Sequence, residues 1–589
     1  MNATDKNKLI DRIKTLDGLT DDERSALLGL LRESKTYGLV WEDKPEEIEK
    51  RLATELPVLK EVKSKAIISD NADAPNHILI EGDNLEALTT LAYTHEGKID
   101  VIYIDPPYNT GNKDFVYNDS FVDGEDSYRH SKWLSFMSKR LRIAKKLLSD
   151  RGVIFISIDD NEQAALKLLC DDKDYFGSRN FVAQLCWRRR KTQANLAKNF
   201  SQVHEYILVY AKNIDSLALN RQRYTKEFVE KTFSNPDNDP KGLYQTGPLA
   251  RPANSSNREY PLTMPNGRVI TAKWSCSEET FAQYVKEGRL YIPKGGEGMP
   301  RIKIYLSELP GMIPNTWLDN VASNDDAARL ITEIFGTISA FSYAKPIELI
   351  KHLGYIGSSK DSTILDFFAG SGTTLHAIMQ LNAEDHGKRK CIICTNNENG
   401  ICENVTYERN KRVIHGYTKP SGEEVEGLHD NNLRYYRTDF VGRRRTPQNM
   451  RRLMLLASDM LCIKENLYTE YDDFGSLKTL ENGFRYFKKD DKQMLIVYNE
   501  EAIYQLVDEI YNLEVENPIV LYVFSPSNDP WSAEFDEVSD KVRLTALPAA
   551  IYNAYKRVLP KPKDALVKDE QTEPEQIIGG LFNMEGGDQ

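Results

Sequence analysis

No run of 18 apolar residues occurs in this 589-residue chain, so the sequence holds no candidate membrane-spanning helix. Its start, Met1-Asn-Ala-Thr-Asp-Lys6, lacks the basic and apolar blocks of a secretory signal. Cysteines are few, seven in all, and scattered, which excludes a disulfide framework and fits the reduced thiols of a cytoplasmic protein. Cys391 and Cys394 form a C-x2-C, but three apart in an apolar strand they point to opposite faces. No second pair follows at ligand spacing, so no metal is expected. The chain also lacks a phosphate-binding loop ending in Gly-Lys-Ser/Thr, which excludes ATP hydrolysis by that route.

What is present is ordinary globular material, 40% hydrophobic and 28% charged, enough for three or four domains. The net charge of −12 is unevenly spread. Between Arg188 and Lys226 nine Lys/Arg face only Glu205 and Asp215, and a second basic group runs Arg434, Arg437, Arg443, Arg444, Arg445, Arg451, Arg452. Acid gathers instead at 463–545. Distribution, more than the sum, decides which surfaces attract anions.

The most informative stretch is Ile99-Asp-Val-Ile-Tyr-Ile-Asp-Pro-Pro-Tyr-Asn-Thr110. Val101 to Ile104 has the make-up of a buried strand. Two consecutive prolines cannot donate ladder hydrogen bonds, so the strand ends at Asp105. That leaves a carboxylate, two stiff carbonyl-bearing rings and an aromatic at a strand's C-terminal edge, where open α/β sheets bind ligands. The second stretch is Ser362-Thr-Ile-Leu-Asp-Phe-Phe-Ala-Gly-Ser-Gly-Thr-Thr374, a short strand, an acid and a Gly-x-Gly turn opening into a helix. Its glycines permit a sharp turn and close ligand approach, and the helix start offers free N–H donors. It lacks the third glycine of dinucleotide sites and the lysine of a P-loop, so NAD and ATP are not its ligands.

Together these stretches resemble the motifs of amino-methylating DNA methyltransferases that use S-adenosylmethionine (SAM) and release S-adenosylhomocysteine. Asp105-Pro-Pro-Tyr108 looks like their catalytic motif and Asp366-Phe-Phe-Ala-Gly-Ser-Gly372 like their SAM motif. The catalytic motif comes first, the circularly permuted order of the β class, and the flanks are similar to the modification (Mod) subunits of type III restriction-modification systems. The resemblance implies an α/β fold: a Rossmann-like, doubly wound, circularly permuted sheet with an inserted α+β target-recognition domain and helical or mixed terminal domains. It implies Asp105, Pro106, Pro107 and Tyr108 as catalytic residues. For the cofactor it implies Asp83 and Asn84 beside adenine, Lys345 and Pro346, Asp366, Phe367, Phe368, Ala369, Gly370, Ser371, Gly372, Thr373 and Thr374, with Glu398 on the ribose. Trp187, Arg188, Arg189, Arg190 and Lys191 fall where the family meets DNA, with Trp187 helping to line the target-base pocket. Implied partners are double-stranded DNA, a second copy in a homodimer, and a restriction (ATPase/nuclease) subunit; none is a membrane.

Taken in order, residues 1–60 read as a helical arm, with apolar stripes at Lys8–Leu16 and Ser25–Leu31. Residues 61–212 read as the catalytic half, where Asn76–Asn84, a helix and the Asp-Pro-Pro-Tyr strand form one compact βαβ unit. The polar, aromatic loop 109–128 is a candidate lid. Residues 213–325, turn-rich with a hairpin at Asn266-Gly267, are the expected target-recognition domain. Residues 326–425 are the SAM-binding half, 426–560 a separate mixed α/β domain for dimerisation or partner docking, and 561–589 a flexible tail.

An aromatic amino group is a poor nucleophile because its lone pair is delocalised. The family's solution is to flip the base out and let the Asp105 carboxylate and the Pro106 carbonyl accept its two N–H bonds, with Tyr108 stacking on the ring. Asp at the first motif position is the adenine-N6 form, whereas Ser is usual for cytosine-N4. Alternatives are an orphan epigenetic enzyme, a cytosine-N4, RNA or protein methyltransferase, and a non-catalytic SAM sensor.

Overall fold

Strand Ile99–Ile104 lies near the middle of a ten-stranded sheet, and its neighbours decide what its C-terminal end can do. The computed structural model describes residues 12–14, 16, 18, 20 and 39–559, except 112–113, 118–119, 194–198, 223, 256, 258, 338–339, 342 and 480. The two apolar stripes expected before residue 35 fall almost wholly outside the described residues, and the 561–589 tail entirely so.

In chain order the strands are β1 (Glu55–Glu61), β2 (Asn76–Glu81), β3 (Ile99–Ile104), β4 (Leu148–Ile158), β5 (Phe181–Arg188), β6 (His204–Ala211), β7 (Trp317–Leu318), β8 (Thr363–Asp366), β9 (Lys390–Thr395) and β10 (Asn432–Gly442). They are arranged β1-β10-β2-β9-β8-β3-β4-β6-β5-β7. From β10 to β4 every pairing is parallel, and β6 is antiparallel to both of its neighbours. Parallel strands must be covered on both faces, and the burial agrees: Leu79, Ile80, Ile102, Ile104, Leu365 and Ile393 are all fully buried.

Helices α1 (Glu47–Thr54), α2 (Asn84–Thr94), α3 (Arg129–Leu147), α4 (Ile347–Gly357) and α5 (Thr373–Asp385) precede or link these strands. α2 and α3 share a core with Ile102 and Ile104. α4 lies on the other face, close enough that a Cβ on Gly357 would sit 3.0–3.2 Å from Val153, Phe155 and Val101. From β8 the chain winds through α5 to β9 on one side. From β3 it winds through α3 to β4 on the other. The boundary between β3 and β8 is therefore the topological switch point, where open α/β sheets place ligands.

Four expectations need correction. The 1–60 arm is not all helix, because Glu55–Glu61 is an edge strand pairing antiparallel with β10. Its Leu56, Pro57, Val58 and Leu59 are buried in succession, and so short an apolar run suits a strand as well as a helix. The βαβ unit is not compact, since β9 and β8 lie between β2 and β3. The C-terminal region is not separate: β10 belongs to the main sheet. Helices α6 (Ser458–Glu465) and α7 (Ala549–Lys556) bury Leu461, Ile551 and Tyr555 in the same core as β1. A second sheet there, β11 to β15 (Glu470–Tyr471, Phe484–Lys489, Lys492–Val497, Ile519–Phe524, Val542–Leu547), runs in chain order and has its own apolar layer.

The fourth correction concerns the insert. Leu219–Asn315 forms a compact unit of its own, narrower than the expected 213–325, because Trp317–Leu318 pairs with β5 in the main sheet. Considered alone it is α+β, with a hairpin of Glu259–Thr263 and Val269–Lys273 turning at Gly267 (φ +83°). A three-stranded sheet and a small core of Leu249, Leu262, Met264, Trp274 and Phe281 complete it. Among the described residues no helix is long and apolar enough to cross a membrane.

The Tyr555 hydroxyl donates to the Pro57 carbonyl of β1 at 2.7 Å inside the core. Tyr555→Ala removes that bond and leaves a large cavity, at a cost of ~3–5 kcal/mol. Urea unfolding followed by tryptophan fluorescence should show that loss; a near-neutral change would detach the C-terminal helices from the sheet's core.

Candidate active site

Four side chains meet where β3 ends. Lys345 Nζ donates to both Asp105 carboxylate oxygens at 2.8 Å and to the Tyr108 hydroxyl at 2.9 Å. That hydroxyl lies 2.9 Å from Asp105 Oδ1 and 3.0 Å from Glu205 Oε2, donating to one of the two. Glu205, 3% exposed, also stands 3.5 Å from Lys345 Nζ and 3.1 Å from Arg189 Nη1. Burial pushes the Asp105 carboxyl above the usual carboxylate range against the pull of Lys345. For Lys345 burial acts downward, but Asp105 and Glu205 outweigh it and hold the ammonium above its ordinary value. Trp133 Nε1 donates to the Pro107 carbonyl at 2.7 Å, whereas no donor among the described residues sits on the Pro106 carbonyl.

Beside this cluster opens a cavity of about 540 Å³, lined among others by Asp83, Asn84, Pro107, Phe136, Phe367, Phe368 and Glu398. Asp83 caps α2 through Leu85 N (2.7 Å), and Asn84 Nδ2 donates to the Phe367 carbonyl (3.1 Å), tying α2 to the Gly-x-Gly turn. Asp366 does not line the cavity. Its carboxylate accepts from Phe368 N (2.9 Å) and Thr374 Oγ1 (2.5 Å), so it folds the turn from beneath, and burial lifts its pKa to about 7. Gly370 and Gly372 have positive φ (50° and 75°), and a Cβ on Gly372 would meet Asn410 Nδ2 at 2.5 Å. Only glycine meets both demands. Ser371 and Thr373 bind buried Arg409 (2.9 and 2.8 Å), and Ala369 N donates to Cys394 O (3.0 Å).

Sequence reasoning placed Lys345 with the cofactor group, but its ammonium sits on Asp105 and Pro346 only precedes α4. Trp187 is fully buried with its indole N–H on the Ala322 carbonyl (3.1 Å), so it supports β5 and presents nothing to DNA. Arg189 turns inward to Glu205 because alternate strand residues face opposite ways, while Arg188, Arg190 and Lys191 are exposed. In the second basic group Arg434 pairs with Glu61, and the exposed Arg437 with Glu81 and Glu403, while Arg444, Arg445, Arg451 and Arg452 are exposed.

A family model described as DNA methylase, of the N6/N4 type, matches residues 99–412. The chain belongs to the DNA methylases. This methylase is 38% identical over 354 residues to the Mod subunit of the StyLTI type III restriction-modification enzyme of Salmonella typhimurium, covering 56% of this chain and 53% of that one. It spans, that is, about half the length of this relative. With the EcoPI Mod subunit of Escherichia phage P1 it shares 34% identity, covering 72% of each chain. With the type II methyltransferase M.KpnI of Klebsiella pneumoniae the figure is 33%, over 59% of this chain and 87% of that one.

Residues missed by sequence reasoning are Glu205, Arg140 and Arg409. Arg140 is fully buried on α3 and joins Glu46 Oε1 (2.9 Å) to Asn84 Oδ1 at the cavity wall. A lone arginine in a helix carries no such signal, but Glu205 did: it is an acid inside an apolar strand, His204-Glu-Tyr-Ile-Leu-Val-Tyr210.

Asp366 yields a pH test of the methylase. The unfolded chain releases this proton near pH 4 and the folded chain near 7, so stability falls as pH rises across that window. Asp366→Asn removes the penalty, and at pH 8 the variant should be ~1–4 kcal/mol more stable than the parent. The gap should narrow as pH falls toward 5. Urea midpoints at both pH values check it; a less stable variant at pH 8 would refute the linkage.

Proposed function

We propose that this methylase transfers a methyl group from SAM to the N6 amino group of an adenine flipped out of duplex DNA. In this reading it is the modification and sequence-recognition subunit of a type III restriction-modification system. One observation carries the proposal: the Asp105 carboxylate and the unoccupied acceptor on Pro106 stand at the switch point, next to a cavity whose wall includes Pro107. The cavity's chemistry fits the cofactor. Asp83, Asn84 and Glu398 offer acceptors for ribose hydroxyls and cationic groups, Phe367 and Phe368 offer apolar faces, and about 540 Å³ is the size of a site for such a molecule. SAM supplies the methyl group.

The protein's own residues do the rest. Both Asp105 oxygens are held by Lys345, and the carboxylate keeps a further lone pair for an incoming amino group. Glu205, 3.5 Å from Nζ, gives the ammonium a second carboxylate to lean on, which keeps it paired as Asp105 turns to the base. Asp105 and the Pro106 carbonyl then accept the two N–H bonds and aim the nitrogen lone pair. After transfer the nitrogen loses a proton, for which Asp105, its pKa raised by burial, is a suitable acceptor. The Leu219–Asn315 unit is the candidate reader of DNA sequence, and Arg188, Arg190 and Lys191 are candidates for phosphate contact. A homodimer, a restriction subunit as partner and a cytoplasmic location complete the reading.

The test is tritiated methyl transfer to unmethylated genomic DNA with nucleoside analysis. N6-methyladenine is expected; label in cytosine, RNA or protein would overturn the assignment. Asp105→Ala should leave SAM affinity nearly unchanged, because Asp105 does not line the cavity, and lower the rate by ~10³-fold or more. Glu205→Gln should lower the single-turnover rate by ~10–100-fold with little change in affinity for SAM. Full activity in that variant would remove Glu205 from the mechanism.

A further inference from the structure

The opposite edge of the main sheet, where the parallel strands begin, has its own small cleft of about 110 Å³. Lys98, Lys390 and Lys464 line it, with Asn76, Asn466 and Thr363. Asn76, Thr363 and Lys390 are the first residues of β2, β8 and β9, and Lys98 immediately precedes β3. Lys464 comes from α6, its ammonium 4.2 Å from the centre of the Tyr93 ring and 5.5 Å from that of Tyr522. Three cations from three segments thus converge on one concavity.

No carboxylate among the described residues forms an ion pair with any of the three. The acid next to them, Glu465, is committed elsewhere: it accepts from the Tyr522 hydroxyl (2.7 Å) and pairs with Arg543 (3.2 Å). Lys489, Lys492 and Arg543 add further positive charge from β12, β13 and β15. All three lysines are held below their ordinary range by burial first, with Lys464 at about 8; Glu465 opposes the shift at Lys98 and Lys464 and Asp361 opposes it at Lys390, while the neighbouring lysines and Arg543 add to it. His95, on the same wall, is kept neutral by burial.

We infer that this cleft is a binding site for a single phosphate group, held by Lys98, Lys390 and Lys464 with amide and hydroxyl donors from Asn76, Asn466 and Thr363. A volume of about 110 Å³ is well below the ~300–1,000 Å³ of sites that enclose drug-sized ligands, so it takes the tetrahedral oxyanion and leaves any attached nucleoside outside. Lysine suits the task as a compact point charge with three donors. The site lies at the N-terminal ends of strands whose C-terminal ends carry the methyl-transfer machinery, and shares none of its residues. The phosphate can belong to a free or nucleotide-borne phosphoryl group or to a DNA backbone.

Calorimetric titration of the full chain with inorganic phosphate, against chloride at equal ionic strength, tests it. The expected result is one saturable phosphate site. Lys390→Gln/Lys464→Gln should weaken it by roughly tenfold or more, with methyl transfer to DNA unchanged. Because an anion raises the Lys464 pKa, binding at pH 8 should take up a fraction of a proton, read from the heat in buffers of different ionisation enthalpy. Lys464→Arg should keep the affinity and lose the proton uptake, since arginine stays charged. Competition by a duplex without target sites would name the DNA backbone as source, and its absence a free or nucleotide phosphate. No saturation at millimolar phosphate, an equal response to chloride, or a double variant that binds as the parent does would overturn the site.

Discussion

Parallel pairing of β8 with β3 is the contact on which this protein depends. Ile364 stands against Val101 and Leu365 against Ile102, joining segments more than 260 residues apart in the chain. Ile364, Leu365, Val101 and Ile102 are all buried, so the pair is closed off from water on both faces of the sheet. The pairing brings Asp105 and the Gly-x-Gly turn to the same edge. Because the windings leave that boundary in opposite directions, no helix covers it, and the gap becomes a cavity. The circular permutation is of no consequence to this geometry: which motif comes first changes only where the connections run.

The polar cluster at the edge is costly. Removing a charge from water costs several kcal/mol per ion even after relaxation, and a buried pair recovers this only with good geometry. Here two carboxylates, one ammonium and one guanidinium share the site, so no single protonation change leaves a bare charge. Tyr108 links both carboxylates through one hydroxyl and therefore feels any change at either. Asp366 makes the opposite choice: with no cation on it, it keeps a proton to about pH 7 and serves the turn as a hydrogen-bonding carboxyl. Neither arrangement is what stability alone would select, and departures of this kind concentrate at functional sites.

Much of this was legible in the sequence because the decisive signals are local. Two prolines end a strand, two glycines force a turn, and an apolar run between them marks a buried parallel strand. The hairpin at Asn266-Gly267 was readable for the same reason. What escaped depends on contacts distant in sequence. Glu55–Glu61 and Asn432–Gly442 extend the sheet only because they find each other across some 370 residues, and nothing within either stretch says so. Arg189 and Trp187 read as a basic, aromatic DNA-facing surface, yet Arg189 turns inward to Glu205 and Trp187 to the Ala322 carbonyl. Lys345 was grouped with the cofactor through the resemblance to the family, whereas its ammonium sits on the Asp105 carboxylate.

The two edges of the sheet are electrostatically opposite, which the net charge of −12 conceals. At the C-terminal edge the cavity wall carries Glu46, Glu47, Asp83, Asp114 and Glu398, a field that favours a ligand with cationic groups. At the N-terminal edge three lysines share one cleft, and no carboxylate among the described residues forms an ion pair with them. Strands contribute little net dipole, so the polarity comes from side chains. Lys98, Lys390 and Lys464 come from two loop or strand starts and a helix far along the chain, and each would be more comfortable alone. Their convergence on a concave surface is the arrangement expected where an anion completes the fold, and it makes the sheet's quiet edge a place where ligand binding and stability are linked.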